Sequence, residues 1–568
     1  MKYRDLRFNA SRRALVAAGG ALASLGVVGC SFFREPPVAF CPNDPDIGDP
    51  TTPLTIDVHA HVFNASDLQV KRFIELVAAK QGDGLGQAIG DMGGVLENLG
   101  WQLAPRADDE LAMLQGLRPA LDKCDVAATA RTVGELRERA YRAARGDLNV
   151  ALERARKARQ ERTLSRATTQ SDFLIRNLPE TRAEYLRESS ARKLSREKSV
   201  QGAIDFVIQN FQYRYVSVHD YLETYSRGPG RRLDLVVAHL VDYDWWLAKG
   251  SPTPTVLKDQ VRVMEQIALV TSGRVHFFAP FDPFREVAAR LQGGDSSLAL
   301  VQDAVRKRGA LGVKLYPPMG FAAMGNATLP AALWQGRDWL PELVRRPDFG
   351  QRLDEAMTAL LTWARDDQVP LMAHSNASNG PLKEFEELAT PRYWKQAIEG
   401  FDTDPTKKLR VNFGHFGHRV PGQSESFIDL MSPRRGTPGA KAFADASYFS
   451  DVLENPKSLS ATLMALYLKR DGVLAKRLMY GSDWQMSLVE RGVDNYLADF
   501  ERVYLELQRA LEQQGEQFRT LSDDFFGRNA VDYLGLRKGE PARKRLDAFY
   551  NGRLNGQPGW MKKIDVMT

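Results

Sequence analysis

The stretch Leu54-Thr55-Ile56-Asp57-Val58-His59-Ala60-His61-Val62-Phe63 decides the reading of this 568-residue chain. It is a short apolar run with polar residues near its end, the pattern of a buried strand. Side chains alternate along a strand, so His59 and His61 point the same way. Two imidazoles side by side on one strand form half of a metal site.

Seven more runs of this kind follow: Leu233–Val241, Val275–Phe281, Gly312–Tyr316, Val369–His374, Leu409–His415, Ala442–Ser447 and Arg477–Asp483. Helical stretches separate most of them, such as Val256–Val270, Leu298–Arg308 and Arg352–Asp366. Eight strand–helix alternations predict an α/β fold, a (β/α)8 TIM barrel. An open doubly wound sheet is the alternative, but no glycine-rich dinucleotide loop follows the first strand. The barrel is expected from 54–64 and 231–536, with a large helical insertion after the first strand, at 65–230. Residues 537–568 read as a C-terminal tail. Within the insertion Arg154, Arg156, Lys157, Arg159 and Arg162 cluster. They suit a solvated helix face, contact with anionic lipid, or a lid over the barrel.

The first 29 residues carry five Arg or Lys against one Asp, then a stretch without charge from Ala14 to Gly29. That is short for a membrane span and suits a signal peptide. Ser11-Arg12-Arg13 resembles a twin-arginine export signal. Val27-Val28-Gly29-Cys30 resembles a lipobox, which makes Cys30 the expected lipidation site. Residues 30–53, rich in Pro and Asp, read as a tether. The expected location is therefore the periplasm or the outer face of a membrane, with the membrane as partner through the anchor. Cys41 and Cys124 either pair or stay as thiols. Much of the formal charge of +6 lies in the leader, so nucleic acid is not an expected partner. Composition excludes a multi-span membrane protein and a disordered chain.

The rare residues fall at strand ends. Lys314 lies on the fourth strand. His374 ends the fifth, His415 the sixth, and Asp483 the eighth. In a barrel these ends build the active-site face. His219, His239 and His276 lack supporting spacing and read as structural, and His418 reads as a supporting or surface residue. Tyr243, Trp245, Trp246, Phe281 and Trp484 lie where an aromatic pocket would form, though packing accounts for many of them. No GxSxG or phosphate-binding loop is present.

This constellation resembles the amidohydrolase superfamily, in its amidohydrolase-related branch with aminocarboxymuconate-semialdehyde decarboxylase. Asn412-Phe413-Gly414-His415-Phe416-Gly417, Gly481-Ser482-Asp483-Trp484 and Gly527-Arg528-Asn529-Ala530 carry the likeness, over about 54–536. The resemblance implies a divalent metal, zinc by expectation, held by His59, His61, His374 and Asp483. It implies a metal-bound hydroxide that cleaves an amide, lactone or ester bond of a small molecule. Asp483 would take the water proton, and His415 would polarise the substrate carbonyl or hydrogen-bond the reacting group. Lys314 lies in a segment similar to that of dihydroorotase. It is read as a carboxylated bridge between two metals, a substrate contact or a structural residue. Decarboxylation of an aromatic or muconate-type acid is the alternative reaction, and a non-catalytic surface binding protein the alternative class. Members are often dimers or larger, so a homo-oligomer is within expectation.

Overall fold

The computed structural model describes residues 51–77, 100–159, 178–182, 184, 206 and 208–567, apart from 227–229, 402–406, 419, 433–440, 491 and 555. The export signal, Cys30, Cys41 and the side chains of the basic run at 154–162 lie outside the described residues. Cys124 is disulfide-bonded, and its partner also lies outside them. Among the described residues no helix is long and apolar enough to cross a membrane.

Eight strands form where the apolar runs occur. They are β1 (Ile56–Ala60), β2 (Leu235–His239), β3 (Val275–Pro280), β4 (Ala310–Leu315), β5 (Pro370–His374), β6 (Arg410–Gly414), β7 (Lys441–Asp445) and β8 (Leu478–Met479). Nearly every strand residue is buried, which is why the runs read as continuously apolar. The strands are parallel and neighbour one another in chain order. Backbone bonds join the end of the sheet to its start: Val58 N–H to Tyr480 O at 3.2 Å, Asp483 N–H to His59 O at 2.8 Å, and His61 N–H to Trp484 O at 3.1 Å. The result is the (β/α)8 barrel that the alternation predicts.

Ile56, Val58, Leu235, Val237, Phe278, Leu311, Met372, Phe443 and Met479 fill the barrel interior below the polar end. The same cluster takes in Leu546, Phe549, Trp560, Met561 and Ile564 from the last two helices, Pro541–Tyr550 and Gly559–Val566. Residues 537–567 are thus not a loose tail. They close the lower end of the barrel, and the Trp560 indole donates to Gly273 O at 2.8 Å.

Two register irregularities matter for the site. β1 slips against β2 between Asp57 and Ala60, and β4 slips against β3 at Phe277 and Phe278. Such bulges re-aim side chains near active sites. After the slip in β1, Val58 stays in the interior cluster while His59 and His61 point inward above it. Asp57 turns the other way, toward the helix Arg214–Ser226.

That helix belongs to the insertion, as do Ala107–Asp122 and Val126–Arg159. The described part packs directly on the barrel. Ala107–Asp122 lies along Leu257–Val270. Arg214, fully buried, pairs with Asp67 at 2.7 Å and Glu110 at 3.2 Å. Asn64, just past β1, donates to Glu110 at 3.1 Å. Charges removed from water persist only when paired and hydrogen-bonded, so this cluster fixes the insertion to the β1 loop.

Candidate metal centre

His59, His61 and Asp483 come together at the upper end of the barrel, with ligand atoms all within 4.8 Å of one another. All three are at least nine-tenths buried. Glycines make room for them. A Cβ on Gly481 would sit 3.0 Å from the His59 Cβ, and one on Gly414 would sit 3.0 Å from His59 Cε1.

The partners of each ring decide which nitrogen carries the proton. His59 Nδ1 faces the Asp445 carboxylate at 3.1 Å and the Ser447 hydroxyl at 2.7 Å. It must donate, which leaves a lone pair on Nε2. His61 Nδ1 donates to His239 O at 3.0 Å. Its Nε2 lies 3.2 Å from Asp483 Oδ1, and His59 Nε2 lies 3.5 Å from that same oxygen. Burial raises the Asp483 pKa. The His61 hydrogen bond and the neighbouring imidazoles outweigh burial and hold the carboxyl well below the usual range. Burial also pushes His59 well below its ordinary value, so it stays neutral. Two imidazole nitrogens and a carboxylate oxygen therefore converge and need one positive charge among them. The Lys314 ammonium, 3.4 Å from His59 Nε2, supplies it, or a divalent ion does. The donor set fits such an ion: two imidazole Nε2 atoms, each within 3.5 Å of one carboxylate oxygen, Asp483 Oδ1.

Lys314 Nζ enters the same space, 3.4 Å from His59 Nε2 and 2.9 Å from Met372 Sδ. Burial lowers its pKa to about 7, against a partial opposing pull from Asp483 and Asp445.

His374 is placed differently from the expected ligand set. Its Nδ1 bonds His415 Nε2 at 3.1 Å, and its Nε2 lies 3.4 Å from the Ser378 hydroxyl. His415 Nδ1 donates to Ser447 O at 3.1 Å, so its Nε2 accepts from His374. His374 Nε2 is left bare, as a ligand needs, but it is not among the three converging atoms. Both nitrogens of His415 are occupied. Through Nε2 it holds His374.

Sequence reasoning missed Asp445. It ends β7 and gathers the centre: it accepts from His59, from Asn412 Nδ2 at 2.7 Å, and from the His415 and Ser447 backbone N–H groups at 3.1 Å. His239 was read as structural. Its ring stacks on His59, with centroids 4.8 Å apart, and on Phe278 at 5.0 Å. Neither of its ring nitrogens has a hydrogen-bond partner among the described residues.

The other candidates fall outside the centre. His276 bonds Gly309 O at 2.7 Å and the Tyr550 hydroxyl near the floor. His418 pairs with Asp451 at 2.8 Å on the rim. His219, Asp220 and Glu223 form a second cluster of ligand-type groups. The Arg137 guanidinium already pairs with both carboxylates there. Trp246 donates to Asp282 at 2.7 Å and packs among Phe284, Phe321 and Phe385, while Trp484 packs on Tyr221 and Tyr225. Tyr316 stacks on His374 at 4.5 Å and meets Tyr243 at 5.3 Å. Beside Lys314 a cavity of about 10 Å³, lined by Asp242, Phe281, Asp282 and Tyr316, has room for a single water.

Backbone strain gathers at this end of the barrel. His415, Phe416, Tyr448, Asp483 and Gln485 all have φ between 50 and 68°. Non-glycine residues hold such angles only where the surroundings impose them, and functional sites are where they cluster.

No protein-family model matches the chain, and no curated protein does. Solved structures do match. One is described as a 2-pyrone-4,6-dicarboxylic acid hydrolase from Pseudomonas putida, at 17% identity and a TM-score of 0.31, over 56% of this chain and 86% of that one. Another is an amidohydrolase from Burkholderia multivorans, at 12% identity and a TM-score of 0.30, over 53% and 83%. A third is a 2,6-dihydroxybenzoate decarboxylase, at 16% identity and a TM-score of 0.30, over 50% and 77%. These likenesses are weak, and the chemistry of the site stands on its own residues.

Proposed function

We propose that the chain is a metal-dependent hydrolase that cleaves an amide, lactone or ester bond of a small molecule. One observation carries this reading: His59 Nε2, His61 Nε2 and Asp483 Oδ1 converge in a buried space as an anionic donor set whose one neighbouring cation-forming group is the Lys314 amine. A divalent ion held there would bring the pKa of a bound water down to about 7. The chain's own residues do the rest. Asp445 and the His239 carbonyl hold the two imidazoles with their lone pairs turned inward. Asp483, kept ionised, takes a proton from the attacking water. Its second contact, the His59 backbone carbonyl, fixes the chain around it. His374, oriented by His415, offers Nε2 as a further ligand. Lys314 either hydrogen-bonds a substrate oxygen or, once carboxylated, bridges a second ion.

The test is turnover of a panel of esters, lactones and amides by zinc-repleted protein. Activity that disappears in His59→Ala and in Asp483→Asn supports the reading. Activity that survives both contradicts it. Decarboxylation is the second reading, favoured by a buried Lys314 beside the centre that could hold a substrate carboxylate. Release of CO₂ from aromatic acids, without hydrolysis of the panel, would select it. The sequence further supports export and anchoring at Cys30. Membrane-fraction protein that turns soluble in Cys30→Ala is the expected result, and an unchanged distribution would contradict it.

A further inference from the structure

The three converging ligand groups, His59, His61 and Asp483, sit on two segments far apart in sequence, 57–61 and 482–484. The Asp57 carboxylate ties them together. One oxygen accepts the His59 N–H at 2.9 Å and the Ser482 N–H at 3.2 Å. These amides lie at a metal ligand and next to one. The other oxygen accepts a short hydrogen bond from the Tyr221 hydroxyl, which also lies 3.1 Å from the Ser482 hydroxyl. Ser482 in turn accepts the Trp484 N–H at 3.0 Å. The Tyr221 ring is held between Trp484, at 4.7 Å, and Tyr225, at 5.2 Å. Asp57, Tyr221, Ser482 and Trp484 are all essentially without solvent contact.

Tyr221 does not come from the barrel. It lies on Arg214–Ser226, the last helix of the insertion. Asp483 meanwhile holds φ at 53°, a conformation its surroundings must impose. Gln485, at φ 68°, makes a second clamp, exchanging two bonds of 3.0 Å with the Phe63 backbone.

We propose that Tyr221 is a positioning residue for the metal centre. Through Asp57 and Ser482 it fixes the distance between the His59–His61 pair and Asp483, so the insertion forms part of the metal site's frame. This inference rests on the metal-dependent reading. Groups one step behind the ligands set metal affinity by 10–100-fold in comparable sites. Tyr221→Phe keeps the ring and its packing but removes the bridge.

The experiment measures zinc affinity of the full chain by competition with a chromogenic chelator, and records the cobalt-substituted absorption spectrum. Wild type, Tyr221→Phe and Ser482→Ala are compared, with thermal unfolding of the metal-free proteins alongside. Zinc binding about 10-fold or more weaker in both variants, with an altered cobalt spectrum, is the expected result. A role in stability alone would lower the unfolding midpoint and leave the zinc dissociation constant within about twofold. That outcome overturns the proposal while the metal reading stands. A wild-type chain that binds neither zinc nor cobalt overturns both.

Discussion

Lys314 poses the sharpest question of the single residues, because an ammonium and a divalent ion compete for the same space. Burial takes its pKa from the ordinary 10.5 to about 7. Between those values the unfolded chain binds a proton that the folded chain does not. Stability of the metal-free protein therefore rises with pH across that window. Lys314→Met lacks the group, so it should be more stable than wild type near pH 7, by on the order of a few kcal/mol. The gap should shrink toward pH 10, as read from urea unfolding at a series of pH values. Parallel curves would contradict the burial of an ionisable amine. Six chemistry-bearing residues, His59, His61, Lys314, His374, His415 and Asp483, were legible because His is rare here and falls at strand ends. Asp445 was not, since carboxylates are common and its partner His59 lies 386 positions away. The Asp-Ala-Ser run ending β7 was the one available signal. His239 carried no second histidine at strand spacing to mark it.

All eight strands stand where apolar runs stop at polar residues, and the helices Leu257–Val270, Ser297–Lys307 and Phe349–Asp366 follow their periodicity. The ends were less legible. β8 is ordered as a strand only over Leu478–Met479, because the next amide, Tyr480 N–H, bonds Phe525 O at 2.9 Å instead of a neighbouring strand. The irregularities in β1, at Val58-His59, and in β4, at Leu311, leave no mark in a single sequence, since neither involves a glycine or proline. The last two helices were taken for a tail because their apolar residues, interleaved with Arg and Lys, do not reveal what they cover. They cover the barrel floor. Trp560→Ala should cost about 3–5 kcal/mol, as for other large buried side chains. Chemical denaturation would show this as a lower midpoint with an unchanged slope. A change within about 0.5 kcal/mol, the range of surface sites, would mean that the floor is not packed.

At the level of the whole molecule the insertion is the part that composition described least well. Its excess of Arg suggested a solvated face, a membrane contact or a lid. Those side chains are not described, but Arg214 and Tyr221 show where the insertion meets the barrel. Arg214 holds two buried carboxylates, and burial already pushes Glu110 up to about 7. Arg214→Met should therefore destabilise the entire chain by about 3–5 kcal/mol, because it strands buried acids. Acidification should recover part of the loss by protonating them. A separate, early unfolding step of the insertion alone would contradict its integration with the barrel.

Metal content per chain tests the convergence of His59, His61 and Asp483 most directly. It should be measured on protein purified without residues 1–30, before and after repletion with zinc. About one divalent ion per chain, depleted in His59→Ala and in Asp483→Asn, is the expected result. About two ions, one of them lost in Lys314→Ala, would keep the centre and assign Lys314 as a bridge. No ion after repletion with zinc, manganese or iron would contradict the metal centre, leaving the Lys314 ammonium as the cation that faces Asp483.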